Sequence, residues 1–253
     1  MSETITNGEA TEFFNKLWQK MTPEQIEAAK IESEKLKKDA EQEKLIDRCW
    51  ESYDYFFEKN KHLPYNANAA SIESLKSENE EIYSMLSNWG VYSDFGFCIC
   101  GPVGTGKTYA LTAILNHVAS TLASDGYAVN GSIYWNTASM LLEQLKDSYN
   151  ADESVLKKIE KIQKYNYLFI DDFGAHKFSD YAVEKLISIL DYRVNNNLPT
   201  FFSTNCKLEQ MRQTFGERVF SRIIACSVMV EVKGKDRRLD IHAERIKQLK
   251  GAK

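Results

Sequence analysis

Residues 101–108, which read Gly-Pro-Val-Gly-Thr-Gly-Lys-Thr, constrain the fold of this chain more than any other segment. They match the spacing G-x-x-x-x-G-K-[ST], follow the apolar run 95–100 and precede an amphipathic stretch with Leu111, Ile114 and Leu115 on one face. Between a strand and a helix, glycines at these positions let backbone N–H groups surround phosphates, and the helix dipole favours negative charge there. The segment therefore predicts a nucleotide-binding loop.

The polar residues of this loop predict which ligands it takes. Lys107 is expected to reach the β- and γ-phosphates of ATP, and the Thr108 hydroxyl is expected to bind Mg²⁺. We predict ATP and Mg²⁺ as the ligands. The residues predicted to contact the nucleotide here are Gly101, Pro102, Val103, Gly104, Thr105, Gly106, Lys107, Thr108 and Tyr109.

A second apolar strand, residues 167–170, ends in the acids Asp171 and Asp172. We expect Asp171 to hold Mg²⁺ and Asp172 to orient or deprotonate the water that attacks the phosphate. Two acids at a strand end are common in proteins. The complete loop upstream, with a strand and helices between, favours the catalytic interpretation.

Further polar residues follow the later strands. Asn205 ends an apolar strand and is predicted to place its amide beside the γ-phosphate. Arg218 and Arg222 share one helix face, so one of them could enter a neighbouring subunit's site, although surface arginines usually only aid solubility. After the last strand, Arg237 or Arg238 could reach the nucleotide of its own subunit.

The order of apolar segments predicts the architecture. Five short strands alternate with amphipathic helices from residue 95 onward, which predicts an α/β fold: a parallel sheet with helices on both faces. Upstream, residues 9–21 place apolar side chains at helical spacing on one face, which predicts a helix. A long, charged helix is predicted to start at Thr22-Pro23-Glu24-Gln25, where Pro23 takes the first helical position and Gln25 can close a capping box with Thr22. We predict a helical partner-binding module over residues 1–64 with a linker to about residue 70, and an ATPase domain over 71–253.

An aromatic stripe near the end of that module, which includes Cys49, Trp50 and Tyr53, could either pack the helices together or bind another protein. The net charge of -4 argues against a general nucleic-acid coat. The sequence shows neither a bilayer-length apolar run nor a basic and then apolar leader, so we expect a cytoplasmic protein without membrane contact.

Together these motifs resemble the DnaC/IstB-type branch of AAA+ ATPases, over roughly residues 90–240. The resemblance implies an AAA+ (ASCE) P-loop fold without a full helical lid. It also implies sensor 1 at Asn205, an arginine finger at Arg222 and sensor 2 at Arg238. Asp236 stands where the branch usually has Ser, and the adjacent Arg237 leaves the sensor 2 assignment open between two residues.

This branch contains bacterial and phage helicase loaders. The resemblance implies a slow ATPase, stimulated by assembly or DNA, that binds a replicative hexameric helicase through its N-terminal helices. It further implies binding of single-stranded DNA and ATP-dependent self-assembly into an open ring or spiral. The alternative within the branch is an IstB-like ATPase that binds duplex DNA and regulates a transposase. A small-molecule kinase is a third hypothesis, disfavoured by the paired acids and the Ser-Thr-Asn strand end.

Overall fold

The computed structural model describes residues 22–64, 67, 70–76, 80–146, 153–174 and 179–251. The helix predicted over residues 9–21 lies outside these ranges. The chain divides into two compact units, Met1–Arg48 and Cys49–Lys253.

The larger unit is built on a five-stranded sheet in which every strand pair is parallel, in the order β2-β3-β4-β1-β5. All five predicted strands are confirmed, and the carboxyl ends of β1, β3 and β4 lie side by side. In open parallel sheets, ligands bind at this edge. The strands are β1 (Gly96–Cys100), β2 (Ile133–Thr137), β3 (Tyr167–Asp171), β4 (Thr200–Thr204) and β5 (Ser227–Glu231).

Helices cover the sheet on both faces, which confirms the predicted three-layer α/β fold. One apolar cluster joins the sheet to α3, and a second joins it to α4–α7. After β5 the described chain contains one helix, α8. The helices are α1 (Pro23–Lys59), α2 (Glu80–Ser87), α3 (Lys107–Ser124), α4 (Ala138–Lys146), α5 (Glu153–Lys164), α6 (Asp180–Asn195), α7 (Leu208–Cys226) and α8 (Arg237–Gly251).

A buried arginine joins the segments that precede β3 and β4. Arg193 of α6 is fully buried, and burial lowers the pKa of its guanidinium to about 9. Its nitrogens donate to the Thr200 hydroxyl and to several carbonyl oxygens, so its donors are satisfied without an acidic partner. The carbonyl acceptors belong to Gln163, Tyr165, Asn166 and Pro199.

The smaller unit contains the first part of α1. The predicted capping box is present: the Gln25 N–H donates to Thr22 Oγ1 (3.3 Å), and the Thr22 N–H donates to Gln25 Oε1 (2.9 Å). None of residues 22–48 is buried, and Ile31 and Leu36 are more than 60% exposed. No helix in the described part of the chain is both long and apolar enough to cross a bilayer.

The boundary between the units differs from the one predicted near residue 64. Cys49, Tyr53 and Phe56 are buried in the core of the larger unit, and the Tyr53 hydroxyl donates to Asn116 Oδ1 on α3. The larger unit therefore begins at Cys49. The aromatic stripe packs inward at these positions, against the helix that follows the predicted phosphate loop.

This boundary predicts opposite outcomes for two deletions. Deleting residues 1–48 is expected to leave the urea midpoint and the ATP affinity near wild type, because the buried side chains are kept. Deleting residues 1–64 removes four buried side chains, those of Cys49, Tyr53, Phe56 and Leu63, and should cost roughly 4 kcal/mol or more of unfolding free energy. Urea denaturation of both proteins measures the difference. Equal stability would show that residues 49–64 are not part of the core.

Candidate functional site

The loop after β1 has the backbone shape that phosphate binding requires. Gly104 and Gly106 have positive φ values of 76° and 91°, a conformation that side chains disfavour. Gly106 is the residue before the first residue of α3. The loop and the helix N-terminus together have the form of a cradle in which an anion could be bound, which is the shape expected of the predicted phosphate loop.

Lys107 lies inside this cradle. Its Nζ donates to the Pro102 carbonyl oxygen at 2.6 Å, and the side chain is only 7% exposed. Burial lowers the pKa of Lys107, and the nearby Asp172 carboxylate opposes that shift. The ammonium is thus held where loop-bound phosphates would meet it.

Asp171, the last residue of β3, meets the loop directly. Its Oδ1 accepts hydrogen bonds from Thr108 Oγ1 (3.1 Å) and from the Ser203 hydroxyl. Burial raises the pKa of Asp171, while these two hydroxyl groups oppose the rise. A carboxylate beside a hydroxyl is an oxygen donor set that suits Mg²⁺, so the residues present fit this ion.

Asp172 and Asn205 lie next to one another beyond the strand ends. Asp172 is exposed and takes a positive φ of 53°. Its Oδ1 accepts a hydrogen bond from Asn205 Nδ2 at 3.2 Å. The second acid and the predicted sensor amide are therefore in contact although 33 residues separate them.

The start of α8 closes the other side of the loop. The Arg237 N–H donates to the Gly104 carbonyl oxygen (3.1 Å), and Asp236 Oδ1 accepts from the Arg238 N–H (3.0 Å). Asp236 therefore caps this helix, a role that Ser performs equally well. The capping role explains why Asp can replace, at position 236, the Ser that is usual in the branch this sequence resembles.

These groups line one cleft of about 530 Å³, within the range of nucleotide-sized sites. The structure thus brings together most residues that the sequence predicted, and it places both Arg237 and Arg238 at the cleft. The lining residues are Val103, Gly104, Gly106, Lys107, Thr108, Tyr109, Thr137, Asp171, Asp172, Ser203, Asn205, Arg237 and Arg238.

Arg222 is not among the lining residues. Its Nε forms an ion pair with Asp191 Oδ1 of α6, with side chains 40% and 36% exposed. Arg218, one turn earlier on α7, lines a shallow groove that also contains Asp191. A role for Arg222 at a nucleotide is therefore a proposal about a neighbouring subunit.

Two cleft residues, Thr137 and Ser203, were not among the site residues predicted from the sequence. A signal existed for Ser203, because side chains two apart on a strand share a face and Ser203 is two residues before Asn205. Thr137 is the register partner of Asp171 on the neighbouring strand. Thr137 can be assigned to the cleft only when it is known that β2 pairs with β3 in this register.

Replacing Lys107 by alanine is expected to weaken ATP binding about 10- to 100-fold, because it removes one charge-assisted contact with the phosphates. Binding of a fluorescent ATP analogue measures this. Lys235→Ala, which removes an exposed positive charge that does not line the cleft, is the matched control and should bind normally. Equal affinity of the Lys107→Ala and wild-type proteins would contradict the phosphate role of Lys107.

Comparisons with known proteins agree with this geometry. A family model described as "IstB-like ATP binding protein" matches residues 24–244. The replicative helicase loader DnaI of Bacillus subtilis is 27% identical over 156 residues, which cover 56% of this chain and 47% of DnaI. The replicative helicase loader DnaC of Escherichia coli K12 is 26% identical over 160 residues, which cover 60% of this chain and 62% of DnaC. The chain thus spans about half to three-fifths of these relatives.

A solved structure shows the same fold. The crystal structure of the DnaC helicase loader matches with a TM-score of 0.53 at 21% identity, over 65% of this chain and 97% of that chain. This likeness shows the AAA+ P-loop fold, as the sequence predicted.

Proposed function

Because this chain belongs to the IstB-like ATP-binding family, we propose that it is an ATP-dependent loader of a replicative hexameric helicase. The observation that carries the ATPase part is the cleft in which Lys107, Thr108, Asp171, Asp172 and Asn205 converge. The similarity to DnaI and DnaC, both named as replicative helicase loaders, supports the choice of partner.

In this proposal the loop amides and Lys107 bind the phosphates of ATP. Bound Mg²⁺, held by Thr108 and Asp171, would supply positive charge that stabilises the phosphate oxygens. Asp172 orients the attacking water and accepts its proton, and Asn205 fixes the position of the Asp172 carboxylate. Hydrolysis would be slow in a lone subunit and faster on assembly or with DNA, because Arg222 is away from its own cleft.

The proposed helicase-binding element lies in the N-terminal unit. Residues 22–48 form a capped helix with no buried residue, and Ile31 and Leu36 are largely exposed. Exposed apolar side chains on a charged helix suit a protein partner. We further propose single-stranded DNA binding, self-assembly into an open ring or spiral when ATP is bound, and a cytoplasmic location.

The second candidate is an ATPase that binds duplex DNA and regulates a transposase. The description of the matched family as IstB-like favours it. Both candidates use the same nucleotide site, so the site does not separate them.

A capture experiment distinguishes the two candidates. The full chain and a 49–253 fragment are immobilised and incubated either with a purified replicative helicase from the same source or with a transposase encoded nearby. We expect helicase retention by the full chain and little by the fragment. Retention of the transposase alone would favour the second candidate, and helicase retention by the fragment would place the interface on the ATPase unit.

A further inference from the structure

Ser203 is a buried hydroxyl in contact with both acids of the cleft. It lies on β4 and is 2% exposed. Its Oγ donates to Asp171 Oδ1 and accepts the Asp172 N–H at 2.9 Å. A serine hydroxyl has one proton to donate, and here that proton goes to Asp171.

The same residue also holds the turn that follows the acids. The Ser203 carbonyl oxygen accepts the Phe173 N–H at 2.7 Å. Ser203 thus accepts hydrogen bonds from the backbone N–H of Asp172 and from that of the next residue. Asp172 has a φ of 53°, a value that non-glycine residues adopt only when neighbouring contacts favour it. Ser203 therefore fixes the direction in which the Asp172 side chain leaves the backbone.

The two hydroxyl groups that donate to Asp171 Oδ1 belong to different parts of the fold, the phosphate loop and the sheet. Thr108 belongs to the phosphate loop, and the same hydroxyl is proposed to bind Mg²⁺. Ser203 belongs to the sheet and cannot follow a movement of the loop, because β4 is paired on both sides. The hydrogen bond from Ser203 on β4 therefore holds the Asp171 carboxylate in one position even when the loop moves.

We propose that Ser203 is a positioning residue that orients the Asp171 carboxylate toward Mg²⁺ and the Asp172 carboxylate toward water. Groups that orient metal ligands typically affect metal affinity 10- to 100-fold when they are removed. This inference rests on the Mg²⁺–nucleotide part of the proposed function and is independent of the helicase.

The test separates metal-dependent from metal-independent nucleotide binding. A fluorescent ATP analogue is titrated onto the full chain in EDTA and then at increasing Mg²⁺, for wild type, Ser203→Ala, Ser203→Thr and Ser227→Ala. Ser227 is the matched control, because it is also a buried serine on a strand and its hydroxyl donates to the Ile223 carbonyl oxygen away from the cleft. Thermal melting confirms that each protein is folded.

We expect Ser203→Ala to raise the Mg²⁺ concentration for half-maximal binding on the order of tenfold. Affinity in EDTA should stay within about twofold of wild type, since the phosphate contacts remain. Ser203→Thr, which keeps the hydroxyl, should restore the Mg²⁺ dependence, and Ser227→Ala should match wild type.

Two results would overturn the inference. One is an unchanged Mg²⁺ dependence in Ser203→Ala, and the other is an equal loss of affinity in EDTA, which indicates a general structural role. If Ser203→Ala does not fold, Ser203→Cys replaces it and the same two results decide. Wild-type protein that binds no nucleotide would instead contradict the proposed function itself.

Discussion

ATP hydrolysis is expected to fall about a thousandfold when Arg222 is replaced by alanine, if Arg222 enters the site of a neighbouring subunit. In the structure, Arg222 is partly exposed and paired with Asp191 outside its own cleft. An exposed ion pair stabilises a fold by only about 0–1 kcal/mol, so the variant should remain folded. Phosphate release at saturating Mg-ATP measures the rate.

Asp191→Asn is the matched control for this substitution. It breaks the same ion pair and leaves the arginine in place, so it should retain most of the activity. If Asp191→Asn and Arg222→Ala lose activity equally, Arg222 acts only through its contact with α6. Arg218, which lines a surface groove together with Asp191, is then the next residue to test.

A mixture of two inactive proteins tests whether the active site is shared. Arg222→Ala protein keeps an intact cleft, and Lys107→Ala protein can still donate its arginine. Mixing them should therefore restore part of the activity, and wild-type rates should rise faster than linearly with protein concentration. Rates that are strictly linear in concentration, together with no rescue, would contradict a shared site.

Asp172→Asn is the second substitution with a large expected effect. Removing a general base typically lowers turnover about 10²- to 10⁴-fold. Mg-ATP should still bind, because Asp171 and Thr108 retain their contact. The amide is nearly the same size as the carboxylate and Asp172 is exposed, so the fold should not change.

Asp171→Asn is the companion variant and should fail in a different way. It replaces a carboxylate that accepts two hydroxyl hydrogen bonds, so the Mg²⁺ dependence of binding should weaken first. Equilibrium binding and single-turnover hydrolysis of both variants separate the two roles. If Asp172→Asn loses Mg-ATP binding and Asp171→Asn keeps it, the roles are reversed.

The strands and the phosphate loop were predictable because their signals are local. The loop spacing, the apolar runs and the acids at the end of β3 each occupy fewer than ten consecutive residues. The parallel order of the strands then places Asp171, Asp172 and Asn205 at one edge. Local pattern and the general rules of parallel sheets were sufficient for this part.

Features that depend on which segments pack together were not predictable in the same way. The stripe at Cys49 and Tyr53 is compatible with either an internal or an external partner, and only the packing on α3 shows that these positions are internal. The two hydrogen bonds of Ser203 join residues more than 30 positions apart. The contact of Arg222 with Asp191 likewise depends on how α6 and α7 pack.

The central proposal, that this chain loads a helicase at the expense of ATP, is tested most directly on circular single-stranded DNA. A closed hexameric ring cannot thread onto a circle, so a loader must let the ring open. When the full chain and ATP are present, we expect the replicative helicase to co-purify with the circular DNA. Much less helicase should co-purify when the 49–253 fragment replaces the full chain, or when neither is added. Equal helicase recovery with and without the full chain would contradict the claim.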